Sequence, residues 1–312
     1  MAKLLLLGDG HLRTKRPRCR TDADFEALCL EKFAEVAEIA KANECVAILQ
    51  AGDLFDSPRP SMSLLAGVYN ILVDQDFEFL CIHGQHDLLY HSDQYRGRSA
   101  LAFLDKTLPN FHALDYSGPF ESSWGKVYGQ GFGQARQKPR RCGKPQILIA
   151  HVMVGDKPLY PGHDLTSPEV FAKKAPGYAL YLLGDYHYPY VVSVDGGVVV
   201  NCGAMLRLTA DARDMARVPH VQIATLVKDD CDLVEEIIKT ALPSDEVFDL
   251  SKKTTPKEQQ DFTDLTDRLR SGQDVGVDFH QNLVDYMDDK GTPEDVRAIA
   301  LSAVAYNEGE GD

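Results

Sequence analysis

The chain lacks long hydrophobic runs, paired-cysteine motifs, internal repeats and low-complexity tracts. No apolar stretch approaches the roughly 20 residues that cross a bilayer, and Met1 to Leu7 is shorter than the core of a secretory leader. A cytoplasmic protein with no membrane partner is the expectation. The seven cysteines (Cys19, Cys29, Cys45, Cys81, Cys142, Cys202, Cys231) are odd in number, scattered, and contain no Cys-x-x-Cys pair. That argues against a disulfide framework or a thiolate zinc site and for reduced thiols.

Positive charge is scarce in one region only. Residues 229–312 hold 22 of the 47 acidic residues and 8 of the 33 Lys and Arg, so the whole net charge of −14 lies there. Residues 1–228 are balanced, which removes the long-range field that would repel a polyanionic ligand. Within the balanced portion, Arg13, Lys15, Arg16, Arg18 and Arg20 form one basic run, and Arg136, Lys138, Arg140, Arg141 and Lys144 form another. A basic run on its own reads equally well as a solvated loop.

What is present is ordinary for a globular protein: 44% hydrophobic and 26% charged residues over 312 positions, enough for one large domain and an appendage. A strand at 3–8 precedes a helical stretch at 22–43, where Phe25, Leu28, Phe33, Val36 and Ile39 recur near helical spacing and Thr21 or Asp22 can cap the start. A strand at 45–50, a helix near 61–75, a strand at 77–82 and a helix near 97–107 follow, an alternation that predicts an α/β sandwich.

After residue 110 shorter strands predominate: Trp124 to Tyr128, Ile147 to Ala150, Leu180 to Leu183, Tyr190 to Val194, Val198 to Asn201 and Val221 to Val227. Asp195-Gly196-Gly197 marks a hairpin between two of them. A second sheet packed on the first accounts for this rhythm. We therefore expect a domain over 1–228 and an acidic, mostly helical extension over 229–312. The extension would have a polar helix at 257–270 and amphipathic helices over 279–306, divided by Gly291-Thr292-Pro293-Glu294.

Five short motifs stand where strands run out: Gly8-Asp9-Gly10-His11, Gly52-Asp53, Gly84-Gln85-His86-Asp87, His151, and Gly184-Asp185-Tyr186-His187. One Gly-Asp after a strand is a turn. Five in succession supply carboxylate, imidazole and amide oxygen at the carboxyl ends of strands, where layered α/β folds gather their ligands. Two divalent cations held by such a set can clamp a phosphate, lower the pKa of a water and stabilise both oxygens of an in-line displacement. Each run is tethered close to a motif, so beside such a centre contact with a phosphate backbone becomes the better reading of both, with Arg13, Lys15, Arg16 and Arg18 the first candidates.

The ordered motifs resemble the calcineurin-like metallophosphoesterase superfamily, whose pattern runs Asp-x-His, Gly-Asp, Gly-Asn-His-Asp or Glu, His, and Gly-His-x-His. The likeness covers roughly residues 3–205 and implies a four-layered α/β/β/α sandwich with two packed sheets. Carried over by position, Asp9, His11 and His187 would bind one metal, Asp53 would bridge, and His151 would bind the second with Gln85 and Asp185. His86 would be the acid, its imidazole steadied by Asp87. Gln85 replaces the family's Asn, and Asp185 replaces the first His of the last motif. Gln offers the same amide oxygen on a longer arm, whereas Asp in place of imidazole makes the second position harder and more negative, favouring Mn²⁺, or Mg²⁺, and suggesting weaker or shifted occupancy there.

A narrower likeness starts at Gly52-Asp53-Leu54-Phe55-Asp56-Ser57 with Pro58, Pro60 and Ser61, which resembles the SbcD-type, Mre-eleven-like branch of DNA repair nucleases. Asn201-Cys202-Gly203-Ala204 with Arg207 is similar to that branch as well, although Gly-Ala stands for its usual Gly-Ser. The branch implies exonuclease action on DNA with some single-strand endonuclease action, an SbcC-type ABC ATPase partner, and a homodimer with Ser61 to Leu72 and Leu101 to Leu108 as interface helices. Residues 279–306 would then bind the ATPase, or else complete the chain's own core. A phosphatase or cyclic-nucleotide phosphodiesterase and a non-catalytic scaffold remain the alternatives. Tyr186 and Tyr188 are stacking platforms for a base or packing residues of their loop. His83 and His91 are read first as structural, and His112, His163, His220 and His280 have no motif around them.

Overall fold

Each apolar run folds as a strand whose carboxyl end opens into one of the Gly-rich steps. A computed structural model of the protein describes residues 1–139, 143–160, 162–227, 230–252 and Arg297. In chain order the first half consists of β1 (Lys3–Leu7), α1 (Phe25–Ala42), β2 (Ala47–Gln50), α2 (Met62–Leu72), β3 (Glu78–Ile82), α3 (Ala100–Thr107) and β4 (Phe111–Leu114). Then come β5 (Phe120–Glu121), β6 (Lys126–Gln130), β7 (Gln146–His151), α4 (Pro168–Lys174), β8 (Leu180–Gly184), β9 (Tyr190–Val194) and β10 (Gly197–Asn201). The remainder is α5 (Ala212–Ala216), β11 (His220–Val227), β12 (Asp230–Ile237) and α6 (Ser244–Val247).

Two six-stranded sheets result, ordered β12-β11-β1-β2-β3-β4 and β5-β6-β7-β8-β10-β9. In the first, β1 to β4 run parallel while β11 lies antiparallel to β1. In the second, β6, β7, β8 and β10 are parallel and the outer strands antiparallel. Both faces of the central strands are covered, so they read as unbroken apolar runs rather than alternating ones.

Three cores separate four layers. Leu5, Leu7, Ile48 and Phe79 pack under Phe33 and Val36 of α1, Val68 of α2 and Leu104 of α3. Leu4, Leu6, Leu49 and Leu80 face Ile147, Ile149, Leu180 and Leu182 between the sheets. Leu148, Tyr181 and Leu183 pack against Phe171 and Ala172 of α4. This is the expected α/β/β/α sandwich.

Local details differ from expectation for identifiable reasons. Asp24, not Thr21 or Asp22, caps α1, accepting from the Ala27 N–H at 3.0 Å. Asp22 is taken by Arg20, which donates to both of its oxygens at 2.7 and 2.9 Å. Ser61 and Ser99 cap α2 and α3, so the helix expected from residue 97 begins at Ala100 after a 3-10 turn over Asp93–Arg98.

The first sheet also runs past the expected division at residue 228. β12 pairs with β11 from His220↔Ile237 to Val227↔Asp230, and the compact unit extends from Met1 to Lys253. The Glu35 carboxylate then accepts from the Lys239 and Thr240 N–H groups at 2.6 and 2.9 Å, fastening the chain beyond β12 to α1. The expected helices at 257–270 and 279–306 lie outside the described residues, apart from Arg297. Among the described residues no helix is long and apolar enough to cross a membrane, and six cysteines are free.

Ile149 is fully buried between the sheets, with half-buried Trp124 at the edge of the same core. Ile149→Ala should lower unfolding stability by about 2–5 kcal/mol, read by urea titration of Trp124 fluorescence.

Candidate metal centre

The carboxyl ends of β1, β2 and β3 meet those of β7 and β8, bringing loops from both sheets to one point. Gly10 and His11 N–H groups donate to the Asp53 carbonyl at 2.9 and 2.8 Å, and Leu12 N–H to Leu54 at 3.0 Å, locking the first two loops together. Gln50 reinforces this: its amide nitrogen donates to the Gly8 and Gly52 carbonyls at 3.1 and 2.6 Å, while its oxygen accepts from Gly52 N–H at 3.1 Å. His11, Asp53 and Asp185 hold left-handed backbone, with φ of 47°, 51° and 76°. Non-glycine residues adopt it at a cost of about 1 kcal/mol or more each, and such outliers cluster at functional sites. At Gly84 a Cβ would lie 2.1 Å from Asp53 Oδ1, so only glycine lets β3 approach that carboxylate.

Two donor groups form around these turns, each with its ligand atoms within 4.8 Å of one another: Asp9, His11 and His187, and Asp9, Asp53 and His151. In the first, the Nε2 atoms of His11 and His187 are 3.0 Å apart and Asp9 Oδ2 is 3.2 Å from His187 Nε2. In the second, His151 Nε2 lies 3.4 Å from Asp53 Oδ2. His151 Nδ1 sits 2.8 Å from the Ala51 carbonyl, which can only accept, so Nδ1 carries the proton and Nε2 faces the centre. His151 Nε2 and Asp53 Oδ2 are buried without a hydrogen-bond partner.

Buried polar atoms are normally paired. Two unpaired ligand atoms converging beside facing imidazole nitrogens fit a divalent cation, whose preferred ligands are this mixture of carboxylate oxygen and imidazole.

The electrostatics agree. Burial opposes a charge on His151, but Asp53, Asp9 and Asp185 outweigh it and hold its pKa up to about 10. Burial likewise opposes charge on His187 and Asp9, yet their mutual hydrogen bond leaves His187 raised and Asp9 lowered. The raised pKa values of His151 and His187 let these two rings offset part of the carboxylate charge.

Asp185 joins the centre less directly, with Oδ1 accepting from Gln85 Nε2 at 2.9 Å and lying 4.0 Å from His151 Nε2. Gln85 Oε1 is buried and unpaired. His86 is half-buried, its ring edge-on to His11 at 5.1 Å between centroids, and its backbone N–H donates to Asp53 Oδ1 at 2.8 Å.

Three expectations need correction. Asp87 does not hold the His86 imidazole: its oxygens accept from Phe55 and Gly84 N–H at 3.1 and 3.0 Å, bracing the second and third loops. Burial and the nearby Asp53 push its pKa up to about 8. Tyr186 is no platform for a base, because its ring is buried and its hydroxyl reaches Asp156 Oδ1 at 3.1 Å and the Lys157 carbonyl at 2.9 Å. The second basic run lies away from the centre. Arg136 and Lys138 line a cavity of about 700 Å³ with Gln146 and Tyr178, at the start of β7. His151 ends that strand, about 17 Å along it. Arg140 and Arg141 are outside the described residues.

The first basic run does flank the centre. Arg13 pairs with Asp56 at 3.2 Å, and with Lys15 it lines a cavity of about 300 Å³ that also includes Ser57 and Arg59. Lys15 and Arg18 are exposed, and Arg16 donates to the Thr21 and Asp22 carbonyls. Arg20 is a buried brace whose guanidinium lies over Phe25 and Phe248. His83 is structural, as expected, bonded to Ser99 Oγ at 3.0 Å, with burial lowering its pKa to about 4.

Three contributors had no role assigned from sequence, although Asn201 and Asp56 stand within the motifs quoted above. Gln50 could have been noticed as an amide ending an apolar strand. Asn201 ties β10 to the last motif through the Tyr186 carbonyl at 2.7 Å and the Gly203 N–H at 2.6 Å. Asp56, three residues after Asp53, forms a third donor group with His11 and His86.

The calcineurin-like phosphoesterase family model matches residues 2–189, which contain all five motifs. Over 229 residues the chain is 26% identical to the DNA double-strand break repair protein Mre11 of Haloferax volcanii, covering 69% of this chain and 48% of that one. The chain thus spans about half the length of this relative. In fold it is similar to the crystal structure of TT1561 of Thermus thermophilus, with a TM-score of 0.50, 14% identity, and 76% of this chain and 99% of that one covered.

The His151 imidazolium sets a pH dependence. Its folded pKa of about 10 exceeds the reference of 6.5, so its contribution to metal-free stability is complete below pH 6.5 and is lost as pH rises toward 10. A cation must displace that proton, so affinity for Mn²⁺ should rise about tenfold per pH unit between pH 7 and 9, and more steeply where His187 gives up its proton as well. Calorimetric titration at each pH checks this, and His151→Gln should flatten the dependence.

Proposed function

The chain belongs to the calcineurin-like phosphoesterase family, and from that footing we propose that it is a two-metal DNA nuclease of SbcD type. Family membership makes it a phosphoester hydrolase that works with divalent metal ions. The observation that carries the reading is the convergence of Asp9, His11, Asp53, His151 and His187, with two buried ligand atoms left unpaired.

Asp9, His11 and His187 would hold one ion and His151, Asp185 and Gln85 the second, with Asp53 available to both. Mn²⁺ suits this oxygen-rich set best, with Mg²⁺ as the alternative. When bound, the ions supply Lewis acidity toward the phosphoryl oxygens and lower the pKa of water. The chain's own part is positional. Asp53 is fixed by the His86 N–H, and His151 by the Ala51 carbonyl. His86, half-buried beside His11, gives a proton to the leaving sugar oxygen.

DNA is the substrate we favour. Arg13, Lys15, Arg16 and Arg18 follow His11 directly, and the Mre11 relative is by name a double-strand break repair protein. Cleavage is exonucleolytic with some single-strand endonuclease action. An SbcC-type ABC ATPase partner, docked through residues 279–306, a homodimer, and a cytoplasmic site of action complete the reading. Six free cysteines among the described residues are consistent with that compartment.

The second metal position is the weaker. Asp185 Oδ1 already shares its charge with Gln85 Nε2 and stands 4.0 Å from His151 Nε2. Titration of metal-free protein with Mn²⁺ should resolve two unequal affinities; two equally tight sites would contradict this.

The decisive assay is Mn²⁺-dependent cleavage of end-labelled single- and double-stranded DNA, beside bis-p-nitrophenyl phosphate. His86→Ala should lower kcat about 10²–10⁴-fold. Neutralising Arg13, Lys15 and Arg18 together should weaken DNA binding and reduce its salt slope by about one per lost phosphate contact, leaving hydrolysis of the small ester nearly unchanged. Hydrolysis of small esters alone would instead make the protein a phosphatase or cyclic-nucleotide phosphodiesterase. Silence on every substrate would make it a scaffold.

A further inference from the structure

His11 has one ring nitrogen that the metal centre does not use. Its Nε2 faces His187, Asp9 and Asp53, at 3.0, 3.9 and 3.9 Å. An imidazole that presents the Nε2 lone pair to a cation must carry its proton on Nδ1. His11 Nδ1 is buried and has no hydrogen-bond partner, and the carboxylate facing it is Asp56, with Oδ1 at 3.5 Å.

Asp56 is held there by backbone. Leu12 and Phe55 form a parallel bridge, and the Asp56 N–H donates to the Leu12 carbonyl at 3.0 Å, so the loops carrying His11 and Asp56 run side by side. The other oxygen of Asp56 is 3.2 Å from Arg13 Nη1. One carboxylate therefore stands between the inner ring nitrogen of His11 and the first cation of the basic loop.

We propose that Asp56 is a positioning residue. It fixes the Nδ1–H tautomer and orientation of His11, and it anchors Arg13 at the same point, so that holding the metal and ordering the basic loop depend on one side chain. Carboxylates behind metal-binding imidazoles act in this way, and their removal commonly costs 10–100-fold in metal affinity. The proposal rests on His11 being a metal ligand, as argued above.

The test measures Mn²⁺ affinity by calorimetry for the wild type, Asp56→Ala and Asp56→Asn. It adds the His11 tautomer from ¹H–¹⁵N spectra of the histidine-labelled, full-length protein with Mg²⁺. Asp56→Ala should weaken the tighter site 10–100-fold and shift His11 toward a mixture of tautomers. Asp56→Asn, which keeps an acceptor oxygen but no charge, should fall between wild type and Ala, and it decides the matter if the Ala variant does not fold. Wild-type affinity and an unchanged tautomer in either variant would overturn the role of Asp56. Failure of the wild type to bind Mn²⁺ would overturn the metal-centre reading and this inference with it.

Discussion

Burial of acidic oxygen is the constraint on which this structure turns. Asp9, Asp53 and Asp87 are almost completely enclosed, and an isolated carboxylate in such surroundings would be strongly disfavoured. Each is satisfied differently. Asp87 is bridged by two backbone N–H groups, Asp9 is matched by His187 and by the Asp185 N–H, and Asp53 keeps one oxygen on the His86 N–H and leaves the other bare. The imidazoles of His11, His151 and His187 crowd the side left open. Negative charge is thereby prepared for a cation rather than cancelled by Arg or Lys, which would close the site permanently.

The scaffold makes that concentration of charge tolerable. Both sheets are parallel at their centres, so the same polarity of strand end is presented from either side of the inter-sheet core. Gln50 and Asp87 spend their hydrogen bonds on the backbone of neighbouring loops. The left-handed residues His11, Asp53 and Asp185 are thus held in place by interactions outside the donor set.

Much of this was legible in the sequence, for a physical reason. Strands buried on both faces must be apolar throughout, so Leu4 to Leu7 or Leu180 to Leu183 can hardly be anything else. β12 was missed because it is an edge strand, Asp-Cys-Asp-Leu-Val-Glu-Glu-Ile, whose solvent face disguises it as an acidic extension. β4 and α4 were missed for shortness, at four and seven residues. Within the site, residue types and order announced the metal ligands, whereas side-chain direction in a loop left no trace. Asp87 follows His86 in sequence yet turns back to Gly84, and Asp56, three residues beyond Asp53, ends up beside His11.

The pairing of β1 with β11 has a temporal consequence. Residues 3–6 find partners at 222–225, a sequence separation that makes closure of the first sheet late and slow among folding events. Until β11 has left the ribosome, β1, the strand that leads to Asp9, has one open edge, and such edges invite pairing with other chains. All five motifs are therefore synthesised before the sheet that aligns the first of them can be completed, and the nascent chain passes through an interval in which it is sticky before it is whole.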